Sequence, residues 1–171
     1  MLKELVQYSR SYRRFDHSAP VSMRTLEELV ELARLCPSAA NRQPLRFILS
    51  TAPADNEAIF ACLKWAAYLT DWDGPAPAER PTAYIVMINT AREWEFARFD
   101  LGIMAQTMLL GAVEKGLGGC MIGALNRDRL RAHFFAAVGN GGQPCAGPGQ
   151  TGGGGADRGG AGRWIDPILP G

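Results

Sequence analysis

Pro37-Ser38-Ala39-Ala40-Asn41-Arg42-Gln43-Pro44 is the stretch on which the reading of this chain turns. It follows an amphipathic helical pattern and precedes the apolar run Leu45-Arg46-Phe47-Ile48-Leu49. A loop between a helix and a strand is where a scaffold holds functional groups. Asn and Gln side chains each carry a donor and an acceptor. Together Ser38, Asn41 and Gln43 therefore suit a flat heterocycle with alternating ring nitrogens and carbonyls. On composition alone the blander reading, a polar turn between two prolines, is favoured.

Working outward, Pro20 and Ser22 open the preceding helix, with Ser22 as N-cap. Leu26, Leu29, Val30 and Ala33 follow at helical spacing, and Pro37 ends it. Leu45 to Thr51 is a buried strand. Residues 1 to 10 read as a short helix with Leu2, Leu5 and Val6 on one side. Arg10, Arg13 and Arg14 then stand beside Ser11 and Tyr12. Guanidinium groups grip phosphate oxygens in pairs, and a Ser hydroxyl adds a donor. The alternative is a solvated basic face.

Further along, Asp55 to Trp65 is expected as a helix with Ile59, Phe60 and Leu63 available to the core. Ala67 to Pro81 is a long connection, a length typical of binding or mobile loops. Its Tyr68 and Trp72 either cover a flat ring or pack the loop onto its own domain. Ala83 to Asn89 is a second buried strand. Glu95 to Leu117 is the longest helical pattern, with Phe99, Ile103, Leu110, Val113 and Leu117 in one stripe. Its other faces are apolar too, so it is expected to be buried on all sides, as core centre or oligomer interface. Gly102 and Gly111 are expected to allow close helix approach. Gly116 to Gly123 turns back into a short strand whose glycines let backbone approach a ligand. It is not a Rossmann fingerprint, because it lacks Gly-x-Gly-x-x-Gly between strand and helix. Asn126 to His133 is a final short helix.

Pro37-Ser38-x-x-Asn41-x-Gln43-Pro44 resembles the flavin loop of the FMN-dependent nitroreductase family. Arg10-Ser11-Tyr12-Arg13-Arg14-Phe15, the helix around Asp100 to Leu117, and Gly116-Leu117-Gly118-Gly119-Cys120-Met121-Ile122-Gly123 agree with it in order. The resemblance covers residues 1 to about 134. It implies an α+β fold, with a mixed, mostly antiparallel sheet flanked by helices around a long central helix. It implies FMN at the interface of a homodimer, with NAD(P)H as co-substrate and a nitroaromatic, a quinone or a similar small molecule as acceptor. It assigns Arg10, Ser11 and Arg13 to the phosphate and ribityl end. Ser38, Asn41 and Gln43 go to the ring, and the backbone around Met121, Ile122 and Gly123 to one ring face. The family often has Arg where this chain has Ser9, which removes one phosphate contact. No side chain is assigned as a catalytic acid or base.

Composition narrows the alternatives. The chain has 171 residues, is 47% hydrophobic and 20% charged, and carries a formal net charge of +1. That suits one globular domain and gives no bulk field toward nucleic acid or membrane. One basic cluster without a basic stripe is a weak basis for nucleic-acid binding. Cys36, Cys62, Cys120 and Cys145 show no metal-ligand spacing and no disulfide framework. The start Met1-Leu2-Lys3-Glu4 lacks a signal-peptide core, and Leu101 to Val113 is too short for a membrane span. A cytoplasmic setting is expected.

The C-terminal region breaks the pattern. Residues 1–137 are expected to form the FMN-binding domain, and residues 138–171 a Gly/Pro-rich, disordered tail. Gly139 to Gly171 holds 13 Gly among 33 residues, with no helical or strand period. Codons can be chosen from Val138 onward so that reading from each second base gives Trp-Glu-Met-Glu-Val-Asn-Leu-Val-Leu-Ala-Leu-Gly-Lys-Pro. That is a strand followed by Gly-Lys-Pro, which looks like the end of the family's domain. A frameshift near Phe134 or Phe135 is therefore expected, against a genuine Gly-rich linker. If the strand is lost, the alternative to an enzyme is a truncated product with weak or no cofactor binding.

Overall fold

The computed structural model describes residues 1–66 and 68–135. The Gly-rich region expected as a tail lies outside the described residues. Five helices and two strands run in the order α1 (Leu2–Tyr8), α2 (Met23–Arg34), β1 (Leu45–Ser50), α3 (Pro53–Phe60), β2 (Tyr84–Asn89), α4 (Ala97–Glu114) and α5 (Arg127–Phe135). The architecture is α+β, as expected.

Local chemistry accounts for the element ends. The Ser22 hydroxyl accepts a hydrogen bond from Thr25 N at 3.1 Å and caps α2. Asn126 Oδ1 accepts from Arg129 N at 3.0 Å at the start of α5. Gly116, at φ +73°, takes the left-handed position after α4, and Leu117 N then reaches Ala112 O at 2.8 Å.

β1 and β2 pair antiparallel from Leu45↔Asn89 to Ser50↔Tyr84. The parallel component among the described residues is a single bridge, Ser11↔Gly119. The core joins Leu26, Leu29 and Ala33 of α2, Leu45 and Leu49 of β1, Val86 and Met87 of β2, and Leu101, Met104, Met108 and Ala112 of α4. At Gly111 a Cβ would lie 2.4 Å from Leu32 Cδ1, so this glycine lets α2 and α4 meet closely. Gly102 has open space around it and plays no such part among the described residues.

Two expectations are corrected, and a third is narrowed. The helix expected over Asp55–Trp65 ends at Phe60. Beyond it the backbone finds better partners in the chain after Gly123: Lys64 N donates to Ala124 O at 2.9 Å and Asn126 N to Cys62 O at 2.8 Å. The strand expected in Gly116–Gly123 is not formed, and its one ladder contact is the bridge to Ser11. Within this chain α4 is buried on one side only. Leu101, Met104, Ala105 and Met108 face the core, while Phe99 and Ile103 of the expected stripe are 54% and 43% exposed. Among the described residues α4 packs chiefly against α2, with lesser contacts to α1 and β1, and these leave its Phe99 and Ile103 side uncovered. No described helix is long and apolar enough to cross a membrane.

Candidate functional site

The Ser38–Gln43 loop is held in an unusual backbone shape by one buried acid. Ala40, Asn41 and Gln43 have φ of 51°, 50° and 47°. Non-glycine residues there cost roughly 1–2 kcal/mol each. Asp100, in the first turn of α4 and 2% exposed, supplies the compensation. Its Oδ2 accepts from the Ser38 hydroxyl at 2.6 Å and its Oδ1 from Ala39 N at 2.9 Å. Ser38 Oγ in turn accepts from Gln43 N at 2.9 Å. From outside, the Arg42 guanidinium lies 4.0 Å from the centre of the Trp94 ring. Strained backbone, over-determined by its surroundings, is typical of binding loops.

This redistributes the roles read from sequence. Ser38 spends its hydroxyl on shaping the loop. Asn41 and Gln43 are exposed, and Gln43 Nε2 donates to Asn41 Oδ1 at 2.8 Å. The pair keeps the Asn41 amide N–H groups and the Gln43 carbonyl available, one donor group beside one acceptor. Asp100 had no role assigned from sequence. Its signal was an acid in the first turn of a mostly apolar helix.

The second group of residues meets elsewhere. Tyr12 N donates to Gly119 O at 3.1 Å, and the Tyr12 ring occupies the space a Cβ at Gly118 would need, 2.6 Å away. This places Arg10, Ser11 and Arg13 alongside Gly118–Cys120. Burial pushes the Cys120 thiol up, while the Arg13 charge and a Ser11 hydrogen bond pull it down. Arg14 is held by Glu79 at 3.3 Å. Among the described residues no carboxylate pairs with Arg10 or Arg13. Arg13 Nη1 donates only to Ser11 O, at 3.3 Å. Two unneutralised guanidinium groups beside a glycine-rich backbone fit the phosphate end of a nucleotide.

Two cavities border this cluster. One, of about 770 Å³, is lined by Gly116–Gly123, including Met121, Ile122 and Gly123, and by core residues of β2 and α4. The other, of about 700 Å³, is lined by Arg13, Arg14, Tyr68 and Trp72 among others. Trp72 packs edge-on against Trp65 at 6.4 Å, so it anchors the loop to its own domain, while Tyr68 is fully exposed. Ser38, Asn41 and Gln43 line neither cavity. The described residues thus gather the arginines with the glycine stretch. Among the described residues no cluster of metal-ligating side chains occurs.

Comparison with known proteins agrees with the fold. The sequence model of the Nitroreductase family matches residues 6–137. A nitroreductase family protein from Clostridium novyi NT superposes with a TM-score of 0.65 at 20% identity, over 78% of this chain and 75% of that one. A nitroreductase with bound FMN from Desulfitobacterium hafniense DCB-2 gives 0.58 at 24% identity, over 81% and 80%. A protein assigned as a candidate NAD(P)H:FMN oxidoreductase from Staphylococcus epidermidis ATCC 12228 gives 0.61 at 13%, over 81% and 79%. No curated protein sequence matches the chain. The fold is the nitroreductase fold, and the chain belongs to the nitroreductase family.

Proposed function

We propose that this domain is an FMN-dependent oxidoreductase that passes electrons from NAD(P)H to an electron-poor acceptor such as a nitroaromatic or a quinone. The observation that carries this reading is the pair of unneutralised guanidinium groups, Arg10 and Arg13, beside the Gly118–Cys120 backbone. FMN bound to the domain supplies the electron-carrying chemistry. Arg10, Arg13 and Ser11 hold its phosphate and ribityl end. Asn41 and Gln43, fixed by Asp100 through Ser38, offer a donor and an acceptor to the ring. The Met121–Gly123 backbone limits access to one ring face.

That Ser38, Asn41 and Gln43 line neither cavity beside the arginine cluster supports a homodimer with the cofactor between subunits. Phe99 and Ile103 of α4 and Leu2 and Val6 of α1 are exposed apolar residues on two helices that contact each other. Such a face is typical of a subunit interface. A cytoplasmic, membrane-free setting and no nucleic-acid partner complete the reading.

The test is direct. The native-length protein should purify yellow, with flavin absorbance that survives desalting. A colourless, well-folded dimer that takes up no added FMN would overturn the proposal. The second reading, a truncated product that holds flavin poorly, is favoured by the large cavity beside β2. It predicts folded but flavin-poor protein from the chain as given and yellow protein from the native-length chain.

Arg13→Ala should weaken FMN binding more than folding. Losing a charge-assisted phosphate contact costs about 1.5–3 kcal/mol, roughly ten- to hundredfold in affinity. Flavin titration against thermal melting separates the two effects. Unchanged affinity with a lowered melting temperature would make Arg13 a structural residue.

A further inference from the structure

Arg42 stands between the two amide side chains available to a flat ring, Asn41 and Gln43. Its backbone is right-handed, at φ −73° and ψ −24°, while Asn41 and Gln43 are left-handed, at φ 50° and 47°. A reversal of hand on both sides of one residue ties the three together: turning Arg42 turns the side chains before and after it. The backbone donors of this stretch are already used inward. Asn41 N reaches Ser38 O at 2.8 Å, Arg42 N reaches Ala39 O at 3.2 Å and Gln43 N reaches Ser38 Oγ at 2.9 Å. The hydrogen bonds that the loop offers outward are therefore carried by side chains, and their aim depends on what holds Arg42.

The Arg42 guanidinium is seated on the Trp94 ring, 4.0 Å from its centre, and among the described residues no carboxylate pairs with it. Trp94 is a fixed platform. Thr90, four residues earlier, donates to Pro44 O from both N and Oγ1, at 3.0 and 2.7 Å. Trp94 N donates to Ala91 O at 2.9 Å, and the Phe96 ring lies 5.0 Å from the indole. The segment that carries the indole is thus tied to the residue that ends the loop. The indole N–H is shut off from solvent and has no hydrogen-bond partner, so packing sets the orientation of the ring. A guanidinium stacks flat on an aromatic face, whereas an ammonium is a strongly hydrated point charge.

We propose that Arg42 is a positioning residue: stacked on Trp94, it fixes the directions in which Asn41 and Gln43 present their amides to the flavin ring. The inference rests on the flavin reading above and adds a residue that acts through its two neighbours. Asp100 holds the loop from inside, through Ser38 and Ala39; Arg42 sets its outward face.

The experiment compares the 171-residue chain with its Arg42→Ala, Arg42→Lys and Trp94→Phe variants. Amide hydrogen exchange of the flavin-free proteins is followed at Asn41 and Gln43, together with FMN titration, the visible absorption bands of the bound flavin and thermal melting. Losing a stack at an exposed site changes an equilibrium by about two- to fivefold. Arg42→Ala should therefore speed exchange at Asn41 and Gln43 and weaken FMN binding by about that factor each, and displace the flavin bands. Its melting temperature should fall by no more than about 3 °C. Arg42→Lys should behave as Arg42→Ala does, while Trp94→Phe, which keeps an aromatic face, should stay close to the parent chain. Unchanged exchange at Asn41 and Gln43 in Arg42→Ala would overturn the proposal, whether or not FMN binds. So would unaltered flavin bands in an Arg42→Ala protein that holds FMN, or an Arg42→Lys protein indistinguishable from the parent, which would leave charge alone as the cause. If the parent chain takes up no FMN, the flavin reading fails, and the exchange comparison decides the role of Arg42 in the loop by itself.

Discussion

Protein made with the alternative reading frame restored after Phe134 should show higher soluble yield, dimer content and FMN occupancy together. A strand supplied by that frame would pair the edge of β2 that has no partner among the described residues and bury Leu and Val side chains in the cavity lined by Leu26, Met108 and Leu130. Each fully buried Leu or Val stabilises by ~1.5–3 kcal/mol. Ordering the strand costs ~1–2 kcal/mol per residue, offset by ladder hydrogen bonds on the β2 side. A net gain of a few kcal/mol corresponds to a melting temperature higher by on the order of 10 °C. Covering an open sheet edge also removes a site for aggregation. Such a strand would fill the cavity that borders Met121–Gly123, so flavin content should rise with stability. Thermal melting and flavin stoichiometry on both proteins check this. Equal values in the two would mean that the Gly-rich continuation is a genuine part of the protein. The DNA sequence across codons 130 to 145 gives an independent answer.

Asp100→Ala should be the most damaging single substitution at the site. It leaves the Ser38 hydroxyl and the Ala39 N–H without their acceptor in a buried place. Two lost charge-assisted hydrogen bonds, at about 1.5–3 kcal/mol each, put the cost near ~3–5 kcal/mol. At roughly 2–4 °C per kcal/mol the melting temperature should fall by about 10 °C. The left-handed residues Ala40, Asn41 and Gln43 would relax, and flavin affinity should fall even in the fraction that stays folded. Asp100→Asn should cost less. The amide keeps an acceptor for Ala39 N but cannot accept the Ser38 proton at its nitrogen end. If Asp100→Ala melted normally and bound FMN normally, the loop would not depend on Asp100.

What the sequence determined by itself was local. Caps, prolines and periodicity act within a few residues, and they placed α2, β1, β2 and the body of α4. The motif order along the chain pointed to the nitroreductase family, which the family match to residues 6–137 bears out. Tertiary structure decided everything that depended on a distant partner. Helix α3 stopped at Phe60 because Lys64 found Ala124, and nothing near Phe60 announces that. Ser38 came to shape the loop because Asp100, far along the chain, accepts the hydrogen bond from its hydroxyl. Phe99 and Ile103, apolar and at helical spacing, left core centre and oligomer interface both open until the fold put α2 and β1 on the other side of α4. A hydrophobic pattern states that a surface must be covered; only the assembled chain shows which surfaces it covers itself.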